Sequence, residues 1–252
     1  MSAIQQLMVS FGAIDAPRKI TTSADMGATV ILNRGADMTG VGDSATGILS
    51  VWFRLDGSNG SVRKLLANTS QYVDIGLLAD NKMKMDLVSP TAGNLISITS
   101  TSTYVAGAAW HHLLASWDMA GLAGQKPKHM YINNNVEQGA VSDVGGVSIV
   151  EYTRGEWQVG SLGATGSNFD GCLAEFWFAP GQFLDFSVAS NRNKFRNGAG
   201  QPIDLGVNGE LPTGTAPALY LSNEFSTFPT NNGTGGDFIV SQGALTAGSS
   251  AP

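Results

Sequence analysis

Apolar side chains in this chain recur with a period of two. In GILSVWFRLDG, Leu49, Val51, Phe53 and Leu55 alternate with Ser50, Trp52 and Arg54, and Asp56-Gly57 stops the run. In HHLLASWDMAG, Leu113, Ala115, Trp117 and Met119 share one parity, while His112, Leu114, Ser116 and Asp118 share the other. KHMYINNN repeats the pattern with Met130 and Ile132, then turns at three asparagines, a residue that tolerates left-handed backbone angles. CLAEFWFAPG alternates once more, which places Cys172, Ala174, Phe176 and Phe178 on one face. A period of two is that of a strand with one face buried, because successive side chains point to opposite sides. Short alternating runs separated by Gly, Asn, Asp and Ser predict an all-β, two-sheet antiparallel sandwich.

Composition agrees with that expectation. Only 13% of the 252 residues are charged and 32 are glycine, so Ser, Thr, Asn and Gln must supply much of the polar surface. Those residues suit sheet faces and turns better than helices. The best helix candidate is SVASNRNKFRNG, with Ser187 as its cap and Gly198 as its end, for one or two turns. TNNGTGGD, residues Thr230 to Asp237, reads as a flexible loop. Residues Ala247 to Pro252 have little apolar surface to bury, and the expectation is that neighbouring subunits pin both ends of the chain. No repeat or linker divides the chain. The expected organisation is one sandwich over residues 1–252, with a core of about 1–186 and an extension of about 187–252.

Charge and motifs exclude several classes. The net charge of −6 argues against a nucleic-acid backbone as partner, which needs clustered Lys and Arg. Cys172 is the one cysteine, so no disulfide forms within the chain. The start, MSAIQQLMVSFGAIDAP, has no basic opening and reads as no signal peptide. No apolar run approaches the roughly 20 residues of a membrane helix. His111 and His112 are adjacent on a strand and point apart, so they do not chelate one metal. Calcium is the more plausible ion, with Asp37, Asp43, Asp74, Asp118 and Asp170 as scattered oxygen donors, but none sits in a dense acidic loop and no ligand set is assigned. The expectation is no cofactor. Cys172 reads as a small buried hydrophobe. The glycines of GSLGATGSNFDG read as hairpin turns, since no Lys-Ser/Thr follows.

Four segments in order carry a family resemblance. They are GILSVWFRLDG; AAWHHLLASWDMAG with KHMYINNN; EWQVGSLGATGSNFDGCLAEFWFAPG; and FRNGAGQPIDLGVNGELPTGTAPALYLS. The first three, over roughly residues 45 to 185, resemble the concanavalin A-like lectin/glucanase superfamily in its laminin G-like jelly-roll form. The matching residues are Trp52-Phe53, Trp110-His111-His112, Tyr131-Ile132-Asn133, Val159-Gly160 and Phe169 to Glu175. The fourth resembles the extension that follows such sandwiches in tailed-bacteriophage structural proteins. A glucanase of this superfamily would carry two carboxylates on one strand, with acid and nucleophile about 5–5.5 Å apart. Glu151, Glu156 and Glu175 each lack a carboxylate two residues away, and Glu175 matches a position that reads as pairing or capping at a strand end. The resemblance implies a non-catalytic virion structural protein, on the capsid surface or along the tail or a fibre. It would be assembled in the host cytoplasm and contact other virion proteins and copies of itself. The alternative is a lectin-like module that attaches to a surface glycan. Trp52 and Trp177 lie opposite the Phe53 and Phe176 rows. They should look outward or under a covering loop, and are the candidates for an interface or a glycan platform.

Overall fold

The computed structural model describes residues 23–89, 93–122, 124–143, 148–153, 155–163 and 167–252. The opening segment read for a signal, and part of the GSLGATGSNFDG turn, lie outside them. Sixteen strands are found among the described residues. In chain order they are β1 (Ala24–Asp25), β2 (Ile31–Asn33), β3 (Thr46–Leu55), β4 (Arg63–Asn68), β5 (Val73–Leu77), β6 (Lys82–Ser89), β7 (Gly93–Thr103) and β8 (His111–Asp118), then β9 (Lys128–Ile132), β10 (Asn135–Val136), β11 (Ala140–Asp143), β12 (Trp157–Val159), β13 (Gly171–Pro180), β14 (Leu219–Leu221), β15 (Ile239–Gln242) and β16 (Thr246–Ala247). They form two antiparallel sheets. The first runs β10-β9-β8-β3-β13-β1-β16, with β14 also paired to β13; the second runs β11-β7-β6-β5-β4-β12-β2-β15. The chain is a nearly all-β jelly-roll sandwich.

The main core lies between the sheets. Leu49, Val51 and Phe53 of β3 and Leu113, Ala115 and Trp117 of β8 meet Ile75, Met83, Met85, Ile96, Ile98 and Trp157 of the second sheet. The buried Trp117 indole donates to the Tyr152 hydroxyl at 2.8 Å, and that hydroxyl donates to the Thr46 carbonyl at 2.8 Å. β6 shows the alternation in pure form: Met83, Met85, Leu87 and Ser89 point in, while Lys82, Lys84, Asp86 and Val88 are only partly covered.

β13 departs from strict alternation. Ala174 pairs with Trp52 and Trp177 with Ser50, so three steps on β13 oppose two on β3. The extra residue is Glu175, with φ 46, and this is a β-bulge. It resets the phase. Leu173, Phe176 and Phe178 face the main core, while Cys172 and Ala174 stand opposite Arg54 and Trp52 on the other face. The expected single row of Cys172, Ala174, Phe176 and Phe178 is therefore split.

A second apolar cluster covers the outer face of the first sheet. Ile48, Leu114, Tyr131, Trp177 and Ala179 pack there against Phe186, Phe195, Leu205 and Tyr220 of the C-terminal region. That is why β3 is buried on both faces almost throughout. The expected helix shrinks to α1 (Ala189–Arg192), whose cap position is Val188, without a side-chain cap bond. Ser187 instead donates to Asp185 through both its amide and its hydroxyl. The Thr230–Asp237 segment is tied down by Asn231, whose carboxamide accepts from the Tyr220 amide and donates to the Ala218 carbonyl. A short 3-10 turn, Phe225–Thr227, lies before it.

The tail has contacts within this chain. β16 pairs with β1. The Ser250 hydroxyl accepts from Arg54 Nη1 at 2.6 Å and from Trp110 Nε1 at 3.0 Å, and the Ser250 carbonyl accepts from the Ser23 hydroxyl at 2.7 Å. Removing residues 247–252 should cost about 1–3 kcal/mol in a urea titration, because these bonds go together and Arg54 loses a partner. An unchanged midpoint would show that the tail contributes nothing.

Candidate functional site

Both tryptophans singled out by the sequence point off the outer face of the first sheet, and both are buried within the chain. Trp177 is 0% exposed. Its indole donates to the Gly209 carbonyl at 2.7 Å and meets Phe195 edge-on at 5.2 Å. Trp52 is 3% exposed and stacks on His112, with ring centroids 4.3 Å apart and planes 4° apart. For Trp177 the physical reason is the C-terminal layer laid over this face. Of the two expected placements, outward or under a covering loop, the buried one applies to both Trp52 and Trp177.

His111 and His112 point apart, as alternation requires. His111 lies against Phe53 and Tyr104. His112 is buried beside Ser50, with Oγ to Nε2 at 2.9 Å. Burial first, and then the Arg196 guanidinium, hold its imidazole well below the usual range. The folded protein thus keeps His112 neutral, while the unfolded chain protonates it near pH 6.5. The stability this contributes is complete above about pH 6.5 and is lost as pH falls toward the folded value, by up to about 1.4 kcal/mol per pH unit. Urea midpoints should therefore fall between pH 7 and pH 5, and His112→Gln should flatten that fall. The flattening is partial, because burial also lowers His111 and His129. An unaltered slope in His112→Gln would sink this assignment.

Among the described residues, one group brings three metal-type ligand atoms within 4.8 Å of one another: Asp25, Asp56 and Cys172. A guanidinium already serves it. Arg54 donates to both Asp56 oxygens at 2.9 and 2.8 Å and to Cys172 Sγ at 3.2 Å. Burial pushes the Cys172 thiol up to about 12, so it stays protonated. Of the five aspartates considered for calcium, Asp43 accepts from Thr153, Asp74 pairs with Lys64, Asp118 accepts from Ala120 and Asp170 accepts from Ser58. These four are each engaged in their own neighbourhood, and none of the five, Asp37 included, belongs to that group.

The carboxylates weighed for hydrolysis are dispersed. Glu175 is buried at the mid-strand bulge, not at a strand end, and accepts from the Tyr220 hydroxyl at 2.7 Å. Glu156 is exposed and accepts from Asn33 beside the second sheet. Glu151→Gln and Glu156→Gln should leave fold and binding unchanged. Glycan hydrolysis abolished by either change would show that a catalytic centre had been overlooked.

Two of the depressions among the described residues bear on a ligand. The first lies on the open face of the second sheet, where Gly76 forms a floor between the Lys64–Asp74 and Lys84–Asp86 pairs, at 2.6 and 2.7 Å. It is only about 90 Å³. A Cβ at Gly76 would stand 2.3 Å from the Arg63 carbonyl oxygen, so the floor has no room for a side chain. The second is an open cleft of about 460 Å³ in the C-terminal region, lined by Asp204, Gly206, Val207, Ser222, Asn223 and Asn232. Sequence reasoning missed these residues. They come from three separated stretches of irregular structure, and no periodicity links them.

No described helix is long and apolar enough to cross a membrane. A family model described as the concanavalin A-like lectin/glucanases superfamily matches residues 27–182. A search of curated proteins returned no match. Among solved structures, a candidate carbohydrate-binding protein from Bacteroides ovatus ATCC 8483 aligns with TM-score 0.60 and 12% identity, covering 91% of this chain and 60% of that one. This chain therefore spans about three-fifths of that structure's length. The native heptameric SAP-like pentraxin from Limulus polyphemus aligns with TM-score 0.53 and 12% identity, covering 91% of this chain and 95% of that one. At such identities the likeness establishes architecture and not activity. The family model spans more than half of the sequence and the two-sheet sandwich is in place, so the chain belongs to the concanavalin A-like lectin/glucanases superfamily, in its laminin G-like form.

Proposed function

We propose that this chain is a non-catalytic binding module that works as one unit, sandwich and extension together, in a bacteriophage virion, where it contacts other virion proteins and copies of itself. The observation that carries the protein-contact reading is β15. This outermost strand of the second sheet bears no charge, all four of its residues are exposed, and Ile239 and Val240 are 62% and 38% exposed. Sheet edges left to solvent are ordinarily short, charged or covered. An uncharged edge bearing two aliphatic side chains suits a protein neighbour. The virion itself is supported by the resemblance of residues 195–222 to extensions of phage structural proteins, and that stretch supplies Phe195, Leu205 and Tyr220 of the second core.

The test is to purify particles on a density gradient, wash them with salt and detergent, and count copies by quantitative mass spectrometry. Many copies are expected, with a principal interface above about 1,000 Å². Ile239→Lys with Val240→Lys should reduce incorporation at least tenfold and leave the thermal midpoint unchanged. Absence from washed particles would overturn the virion reading.

The open cleft favours a second reading, a lectin-like module that attaches to a surface glycan. Its ligand-sized volume and its convergent polar groups are features of small-molecule sites.

A further inference from the structure

We infer that the cleft of the C-terminal region is a saccharide subsite, separate from the sheet faces of the sandwich. This inference rests on the carbohydrate-binding reading and gives it a place. The cleft lies between residues 204 and 232, beyond the 27–182 span of the family model.

One wall is the 204–211 loop. Asp204 Oδ1 accepts from the Gly206 amide at 3.0 Å, Glu210 accepts from the Asn208 amide at 3.0 Å, and the Leu211 amide donates to the Leu205 carbonyl at 3.0 Å. The other wall joins the end of β14 to the returning loop. Asn232 Nδ2 donates to Ser222 Oγ at 3.0 Å and to Asn223 Oδ1 at 3.2 Å, and Asn223 Nδ2 donates to the Thr230 carbonyl at 3.0 Å. The Asn232 amide itself donates to the Tyr220 carbonyl at 3.0 Å. Both walls are thus held in place before any ligand arrives, which lowers the ordering cost of binding.

The lining selects a ligand class. No Lys, Arg or His lines the cleft, so a phosphate or carboxylate ligand would find no counter-charge. A single carboxylate, Asp204, falls short of the oxygen set and charge that calcium takes. The carboxamide N–H groups are spent within the wall, so the lining offers chiefly oxygen acceptors, from the Asp204 carboxylate and the two carboxamides, to ligand hydroxyl groups that donate. Val207, 84% exposed at the mouth, presents an aliphatic surface to the C–H face of a ring. A neutral sugar ring combines those features, and about 460 Å³ admits one or two residues of a glycan.

The experiment is saturation-transfer NMR, followed by calorimetry, on the full chain with methyl hexopyranosides and neutral trisaccharides. At least one of them should bind with millimolar affinity. Asp204→Asn keeps the acceptor for Gly206 and removes the charge; Val207→Asp alters an exposed side chain. Each should weaken binding at least tenfold with an unchanged thermal midpoint. Deoxy analogues lacking the recognised hydroxyl should bind still more weakly. Thr99→Ala, on the open face of the second sheet, should bind as the parent does. If binding survives both cleft variants and is lost in Thr99→Ala, the carbohydrate reading stands and this site is wrong. If no saccharide binds, the reading and the site fall together.

Discussion

Trp177→Ala should cost about 3–5 kcal/mol and should loosen the C-terminal layer from the sheet beneath it. The side chain is fully buried in the second core, between Phe195 of the extension and the outer face of β13. Truncation leaves a cavity there and removes the donor to the Gly209 carbonyl. Repair by local collapse is limited. Gly209 has φ +75, and a Cβ placed on it would stand 2.9 Å from the indole nitrogen, so the loop is shaped to this ring. Two measurements check the expectation. Urea unfolding should give a lower midpoint, with a reduced slope if the layer opens before the sandwich. Limited proteolysis should cut first within residues 182–212. A variant that melts like the parent and is cut in the parent's pattern would show that Trp177 does not hold the layer.

Phe176→Ala should cost a similar 3–5 kcal/mol, with a different signature. Phe176 is the next residue on the same strand but faces the other way, into the core between the sheets. Its loss should weaken the whole sandwich as one cooperative unit. The midpoint in urea should fall while the slope is kept, and no early cleavage should appear within residues 182–212. A cost under about 1 kcal/mol, the level of a surface substitution, would contradict the facing assigned to β13 beyond the bulge.

The class of fold was legible because period two is a local property. Whether Leu49, Val51 and Phe53 share a face depends only on strand geometry, and so does the row of Leu113, Ala115 and Trp117; both rows face the main core. The β13 reading failed at one residue for an equally local reason. A bulge inserts a residue without changing the composition, and Glu175 carries no glycine or proline to mark its positive φ. Counting back from Phe176 by twos therefore put Cys172 and Ala174 on the wrong side.

Whether a face is wet is not a local property. The sequence determined that Trp52 and Trp177 point off the outer face of their sheet. Only the tertiary structure decided that this face is dry around Trp177, because Phe186, Phe195 and Leu205 fold back over it from later in the chain. The same holds for the tail. Small polar residues contain no signal for Ser250 meeting Arg54 and Trp110, which lie 196 and 140 positions away in sequence. The cleft is the extreme case. Asp204, Asn223 and Asn232 sit in loops whose positions are set by backbone bonds to β14 and by turns, so their convergence has no period, motif or run to announce it. Periodicity alone determined a sandwich; the long-range return of the C-terminal third decided which surfaces are left for a partner.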